Sequence, residues 1–301
     1  MTGPLTIELS RKNSYIRNHD GDKVSVIIRW VLTAILLATA PAFSKQRPPD
    51  EYLVYKTVGD AELKLHLFRP EGDESNMKRP CVVFFFGGGW VGGTPRQFYS
   101  YCEFFNSLGF VAVSAEYRVK KVHNSTPFES VQDARSAIRW VRANAEKLGV
   151  DPSRIIASGG SAGGHLAACT GVISGHEESG EADDISSVPN AMILFNPVLD
   201  TTEAGYGLSK VGEERKTDIS PCHHVSGGKP PCIVFHGMAD QTVPYENAER
   251  FVRLMKEAGN DCELKGYEGR DHGFFCRGKF IKTDRPIIYE QIKKWNNDQN
   301  N

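Results

Sequence analysis

Three stretches of this sequence hold side chains that could together attack a carbonyl. Gly159-Gly160-Ser161-Ala162-Gly163-Gly164 has the form Gly-x-Ser-x-Gly. A serine held on a sharp strand-to-helix turn between glycines stands clear of its backbone, close to the positive end of a helix. Serine is a weak nucleophile and needs a base. Two downstream stretches supply the remaining parts. His236-Gly-Met-Ala-Asp240-Gln-Thr-Val-Pro244 offers a carboxylate, and Asp271-His272-Gly273-Phe274-Phe275 offers an imidazole. The order Ser161, Asp240, His272 is one of the known chain orders of a serine triad. A fourth stretch, Phe86-Gly87-Gly88-Gly89-Trp90, is rich in glycine. Backbone N–H groups from Gly87, Gly88 and Gly89, with that of Ala162, could hold the oxyanion that forms when a carbonyl is attacked. A glycine turn before a helix can instead bind phosphate, but no P-loop lysine follows and the dinucleotide glycine spacing is absent.

These residues need a frame. Tyr52–Val58 and Leu63–Phe68 alternate apolar and polar side chains around Gly59-Asp60, which predicts a hairpin. Cys81–Phe86 is a continuous apolar run, as in a strand buried on both faces. Helical and extended patterns then alternate. Helices are expected over Gln97–Leu108, Ser130–Leu148, His165–Thr170, Tyr245–Ala258 and Arg285–Trp295, and strands over Phe110–Ala115, Arg154–Ser158, Ala191–Phe195, Pro231–Phe235 and Glu263–Tyr267. The alternation implies an α/β class, a mainly parallel central sheet with helices on both faces. Ser161, Asp240 and His272 each follow an expected strand, where open α/β sheets place their sites. Thr201–Ser226 has weak patterning and is read as a small insertion, part of a small or minimal cap.

The chain has 301 residues, 40% of them hydrophobic, and a formal net charge of −1. No basic block points to nucleic acid. Lys23 and Arg29 precede an apolar run from Trp30 to Ala40, and Ala38-Thr-Ala40 and Ala40-Pro-Ala42 have the small-x-small form of a cleavage site. Residues 1–42 are therefore read as a signal peptide or N-terminal extension, and residues 43–301 as one catalytic domain. Export to the periplasm or medium is expected. The alternative is an anchor formed by the uncleaved segment, the one case in which a membrane partner is expected. Seven cysteines include no Cys-x-x-Cys pair, so neither zinc nor dithiol chemistry is indicated. Export would permit disulfides, with Cys222 and Cys232 one candidate pair. His223-His224 lacks partners at metal-ligand spacing. No metal or cofactor is expected. His165, Glu116-Tyr117-Arg118 and Asp133 are read as structural, and Asn124-Ser125-Thr126 has the form of a glycosylation site.

The glycine loop, Gly-Gly-Ser-Ala-Gly-Gly, His-Gly-x-x-Asp-x-x-Val-Pro and Asp-His-Gly-Phe together resemble the hormone-sensitive-lipase-like esterases of the α/β-hydrolase fold. The acetylxylan and feruloyl esterase-like branch is the nearer likeness. The resemblance spans Tyr52 to Trp295. It implies Ser161 as nucleophile, Asp240 as acid, His272 as base, and Gly87, Gly88, Gly89 and Ala162 as the oxyanion region. It also implies a serine carboxylic-ester hydrolase for short, acetyl-type esters of small molecules or carbohydrates. One departure stands out: the family commonly has a loop-organising histidine where this chain has Phe86. Alternatives sharing the triad are an esterase or lipase for longer acyl chains and a prolyl-oligopeptidase-like peptidase. A ligand-binding receptor of the same fold is the non-enzyme alternative.

Overall fold

The structure, a computed structural model, describes residues 16–17, 23–24, 46–72, 78–181, 184–277, 287–288 and 290. The chain divides into two units, residues 1–45 and 46–301. In the first, Ile16–Arg17 and Lys23–Val24 pair antiparallel. The expected leader, with its apolar run and cleavage motifs, otherwise lies outside the described residues. Among the described residues no helix is long and apolar enough to cross a membrane.

The second unit is built on eight strands: β1 Glu51–Val58, β2 Ala61–Phe68, β3 Arg79–Phe85, β4 Val111–Ala115, β5 Val150–Gly160, β6 Ala191–Phe195, β7 Cys232–Gly237 and β8 Cys262–Tyr267. They form one sheet in the order β8-β7-β6-β5-β3-β4-β2-β1. The β1–β2 and β2–β4 pairs are antiparallel, and every other pair is parallel. Every residue of β4, β6 and β7 is buried, so both faces of the sheet centre are covered. Edge strand β1 instead buries Leu53 and Tyr55 and exposes Tyr52 and Val54, the alternation of a half-solvated strand.

The helices are α1 Tyr99–Ser107, α2 Lys120–His123, α3 Pro127–Ala143, α4 Ala145–Leu148, α5 Ala162–Val172, α6 Leu208–Val211 and α7 Tyr245–Glu257. Two differ from expectation for local reasons. The helix expected over Ser130–Leu148 begins earlier, because Thr126 and Glu129 form a capping box with Pro127 in the first turn. It then breaks at Asn144, whose side chain shares the Trp140 carbonyl with its own backbone N–H, at 2.9 and 3.0 Å. The helix expected from Gln97 is split into a 3-10 turn, Pro95–Phe98, followed by α1. Helix α5 is buried along its whole length, as suits a helix enclosed on all sides. Of the expected terminal helix over Arg285–Trp295, only Ile287, Ile288 and Glu290 are described, and these are helical.

Cys222 and Cys232 are separate buried thiols, so the structure does not contain the disulfide considered for them. Cys232 lies on β7 opposite Cys262 of β8, and Cys222 lies in the 3-10 turn Pro221–His223.

Candidate active site

Four loops at the carboxyl ends of strands converge, and each carries one part of the site. The chain leaves β5 through Gly160 and enters α5 at Ala162, so Ser161 takes the whole turn. Its backbone lies at φ 57° and ψ −123°, a strained conformation for a residue with a side chain. The turn is tight enough that a Cβ on Gly163 would lie 2.0 Å from the Phe85 carbonyl oxygen. Only glycine permits that approach of the helix to β3. The Ser161 N–H donates to the Phe195 carbonyl at 2.9 Å, which fixes the turn to β6.

The loops after β7 and β8 bring the other two residues to this serine. His272 Nε2 lies 2.8 Å from Ser161 Oγ, and His272 Nδ1 lies 2.7 Å from Asp240 Oδ2. A carboxylate only accepts, so Nδ1–H donates to Asp240 and Nε2 is left to accept the serine proton. The loop bearing His272 is tied down by Tyr101, whose hydroxyl donates to the Phe275 carbonyl at 2.7 Å.

Asp240 is buried and densely satisfied. Its Oδ1 accepts from the N–H groups of Thr242 and Val243 at 2.8 and 2.9 Å, and its Oδ2 from Asn196 Nδ2 at 2.7 Å. His236 Nε2 lies 3.2 Å from the same Oδ2. Burial by itself would push the carboxyl up. The hydrogen bonds from His236, His272 and the two backbone N–H groups outweigh it and hold Asp240 well below the usual carboxylate range. Asn196 escaped the sequence reading. It follows β6 directly, with φ 40° and an N–H that donates to the Phe235 carbonyl at 2.8 Å. The signal that could have found it is a polar residue ending a wholly apolar strand.

The glycine loop closes the site. Gly88, Gly89, Ser161, Tyr206, Thr242 and His272 are among the residues lining a cavity of about 290 Å³. Gly87 lines it too, but its N–H is committed: it donates to Gln97 Oε1 at 2.6 Å. The expected oxyanion set is corrected on this point, because a donor held by a side-chain amide does not also face a substrate. The N–H groups of Gly88, Gly89 and Ala162 remain to draw on, and that of Ala162, in the first helical turn, has no intrahelical acceptor. Phe86 stacks on Tyr117 with ring centroids 4.1 Å apart, and the Tyr117 hydroxyl donates to the Phe86 carbonyl at 2.7 Å. Aromatic stacking and one phenol therefore organise the loop at the position where the resembled family uses histidine.

The other polar residues weighed in the sequence lie elsewhere. His165 is buried in α5, where Nε2–H donates to the Ile219 carbonyl at 2.6 Å, and burial pushes its pKa down to about 4. His223 Nδ1 lies 2.8 Å from Ser220 Oγ, and His224 Nε2 donates to the Thr217 carbonyl. Glu116 meets His66 at 3.1 Å, and Arg118 pairs with Asp133 at 2.8 Å. Among the described residues no group of three or more His, Cys, Asp or Glu is placed to hold a metal ion.

A strained serine between strand and helix, with histidine and aspartate delivered by later strand ends of an eight-stranded sheet, defines an α/β-hydrolase. Comparison with known proteins gives the family. The model of the family described as BD-FAE matches residues 65–255, and the chain belongs to that family. It is 31% identical over 217 residues to the esterase LipC of Mycobacterium tuberculosis, covering 65% of this chain and 53% of that protein. It is 26% identical over 231 residues to an acetylxylan esterase of Xylanibacter ruminicola, covering 71% and 44%. The chain thus spans about half the length of these curated relatives. Among solved structures it is similar to esterase 2 of Thermogutta terrifontis. The propionate-bound form has 45% identity and a TM-score of 0.75, covering 85% of this chain and 96% of that one. The form phosphoramylated by tabun has 44% identity and a TM-score of 0.77, covering 84% and 96%.

Proposed function

We propose that the protein is a carboxylic-ester hydrolase that works through a serine acyl-enzyme on short-chain esters. The observation that carries this reading is the continuous hydrogen-bond chain from Ser161 Oγ through His272 to Asp240. Ser161 Oγ attacks the ester carbonyl as its proton passes to His272 Nε2. Ionised Asp240 stabilises the imidazolium so formed. The carbonyl oxygen gains its negative charge facing the glycine loop, where Gly88, Gly89 and Ala162 can donate. Collapse of the tetrahedral adduct expels the alcohol, which takes the proton from His272. Water, deprotonated by His272, then attacks the acyl-serine. The resulting adduct releases the acid and restores Ser161.

The cavity supports a small acyl group. Its volume of about 290 Å³ lies at the lower end of the ligand-pocket range, roughly 300–1,000 Å³. Solved structures of esterase 2 hold propionate and butyrate, and one curated relative is named an acetylxylan esterase. Acetyl groups on carbohydrate are therefore our favoured natural substrate class. The apolar run and small-x-small motifs within residues 30–42 support export as the setting in which such a substrate would be met.

The test is hydrolysis of p-nitrophenyl acetate, butyrate and octanoate, and release of acetate from acetylated xylan, by the protein and by Ser161→Ala. Serine-dependent turnover that falls with acyl length, with acetate released from xylan, is the expected result. Turnover of p-nitrophenyl esters alone would remove the carbohydrate assignment. Absence of serine-dependent turnover on every ester would sink the hydrolase reading.

A further inference from the structure

A glycine-rich loop that presents N–H groups to a reaction must be kept from turning its peptides over. In this molecule the carbonyls do that holding, since in a trans peptide the C=O and the next N–H point in opposite directions. The Phe86 carbonyl is held by Tyr117. That of Gly88 accepts from the N–H groups of Val91 and Gly92 at 3.1 and 3.4 Å. Those of Trp90 and Val91 accept from the N–H groups of Lys120 and Lys121, in the first turn of α2, at 2.9 and 3.0 Å. The Gly89 carbonyl differs. It accepts from Lys210 Nζ at 3.2 Å, a side chain of α6 in the insertion between β6 and β7.

Lys210 is built into that place. Its ammonium also donates to the Tyr206 hydroxyl at 2.6 Å and lies 4.3 Å from the centroid of the Tyr206 ring and 5.6 Å from that of Trp90. The backbone it touches is left-handed: Gly89 and Trp90 lie at φ 63° and 59°, a region glycine takes freely and tryptophan only under strain. Trp90 is buried, with its ring edge-on to His165 at 4.9 Å. Tyr206 in turn lines the cavity beside Ser161 and His272.

We propose that Lys210 is a positioning residue for the oxyanion loop. Its ammonium, itself hydrogen-bonded to the Tyr206 hydroxyl, pins the Gly89–Trp90 peptide. This fixes the left-handed backbone of Gly89 and, through it, the orientation of the preceding Gly88–Gly89 peptide, whose N–H meets the developing charge. This rests on the ester-hydrolase reading and adds to it a residue from the insertion. Lys210 itself touches no reacting atom. Its removal should therefore act on the transition state and leave ground-state binding alone.

The experiment compares the full-length protein with Lys210→Met, Lys210→Arg and Tyr206→Phe. It measures kcat and KM on p-nitrophenyl acetate and the Ki of a trifluoromethyl ketone, which forms a tetrahedral oxyanion adduct with the serine. Lys210→Met should lower kcat about tenfold with KM unchanged, less than the hundredfold or more that loss of a direct donor costs. The Ki should rise by the same factor. Lys210→Arg should recover most of the loss, because a guanidinium can donate to both oxygens. Tyr206→Phe, which keeps the ring and removes one partner, should give a smaller change in the same direction and carries the test if Lys210→Met fails to fold. Unchanged kcat and Ki, or a raised KM at constant kcat, would overturn the assignment while leaving the hydrolase reading intact. If the unaltered protein shows no Ser161-dependent turnover, the hydrolase reading itself fails and the assignment falls with it.

Discussion

Among the described residues, Asp133, Asp200 and Asp240 have side chains fully shielded from solvent, and the structure surrounds Asp240 in the site and Asp133 on α3 differently. Asp133 meets two permanent cations, Lys56 at 2.7 Å and Arg118 at 2.8 Å. Lys56 and Arg118 continue to Glu178, and nearby Arg135 and Arg139 close on Glu177 and Glu181. Burial would lower the pKa of Arg118, but Asp133 and Glu178 outweigh it and raise it. Asp240 is met instead by backbone N–H groups, an asparagine amide and imidazoles. The imidazole of His272 keeps a second nitrogen for Ser161. A buried charge matched by fixed cations is neutralised for good and serves structure. One held by N–H donors beside a histidine keeps its field, under the proposed mechanism, for a cation that forms only during reaction.

The contrast can be broken most directly at Asp240. Asp240→Asn should reduce kcat/KM on p-nitrophenyl acetate by about 10⁴-fold. A variant that kept its activity and lost stability instead would put Asp240 in the same class as Asp133. The reciprocal change, Asp133→Ala, takes the buried carboxylate from Lys56 and Arg118 and leaves them only the more exposed Glu178. It should cost about 3–5 kcal/mol in urea unfolding and leave turnover per folded molecule unaltered. Loss of turnover in the folded fraction would join the two regions functionally.

Smaller effects sharpen the comparison. Asn196→Ala removes one donor from Asp240. Hydrogen bonds to charged groups contribute roughly 1.5–3 kcal/mol, so kcat/KM should fall some ten- to hundredfold with little change in KM. His165 lies beside the serine turn but outside its hydrogen-bond chain. Its folded pKa of about 4 is below the unfolded value near 6.5. The unfolded chain therefore binds a proton that the folded one refuses. Stability from this group is complete above about pH 6.5 and is lost as pH falls toward about 4, with a slope of at most about 1.4 kcal/mol per pH unit. Urea midpoints measured from pH 7 down to pH 4.5 should show the slope, and His165→Gln should flatten it.

Much of this was legible before any coordinates. Apolar runs such as Cys81–Phe85 and Ala191–Phe195 are strands; runs that short, rich in branched and aromatic side chains, suit a strand buried on both faces. Gly-x-Ser-x-Gly marked the tight turn because glycine alone tolerates the contact of Gly163 with Phe85. Less visible were the helix boundaries at Thr126 and Asn144, where side chains hydrogen-bond to the backbone. The diversion of the Gly87 N–H to Gln97 was hidden too, since it depends on where a 3-10 turn places one amide.

The sequence by itself determined the order and kind of the main elements and offered residue types that could attack, take up a proton and orient the proton acceptor. Those follow from local backbone preference and hydrophobic period, which are properties of neighbouring residues. Tertiary structure alone decided which donors reach Asp240, which glycine N–H groups stay open, and that Lys210 and Tyr206 of the insertion lie against the oxyanion loop. Those contacts join residues as much as 121 positions apart. The packing of strand ends and loops sets the distances between them, and no local pattern encodes those.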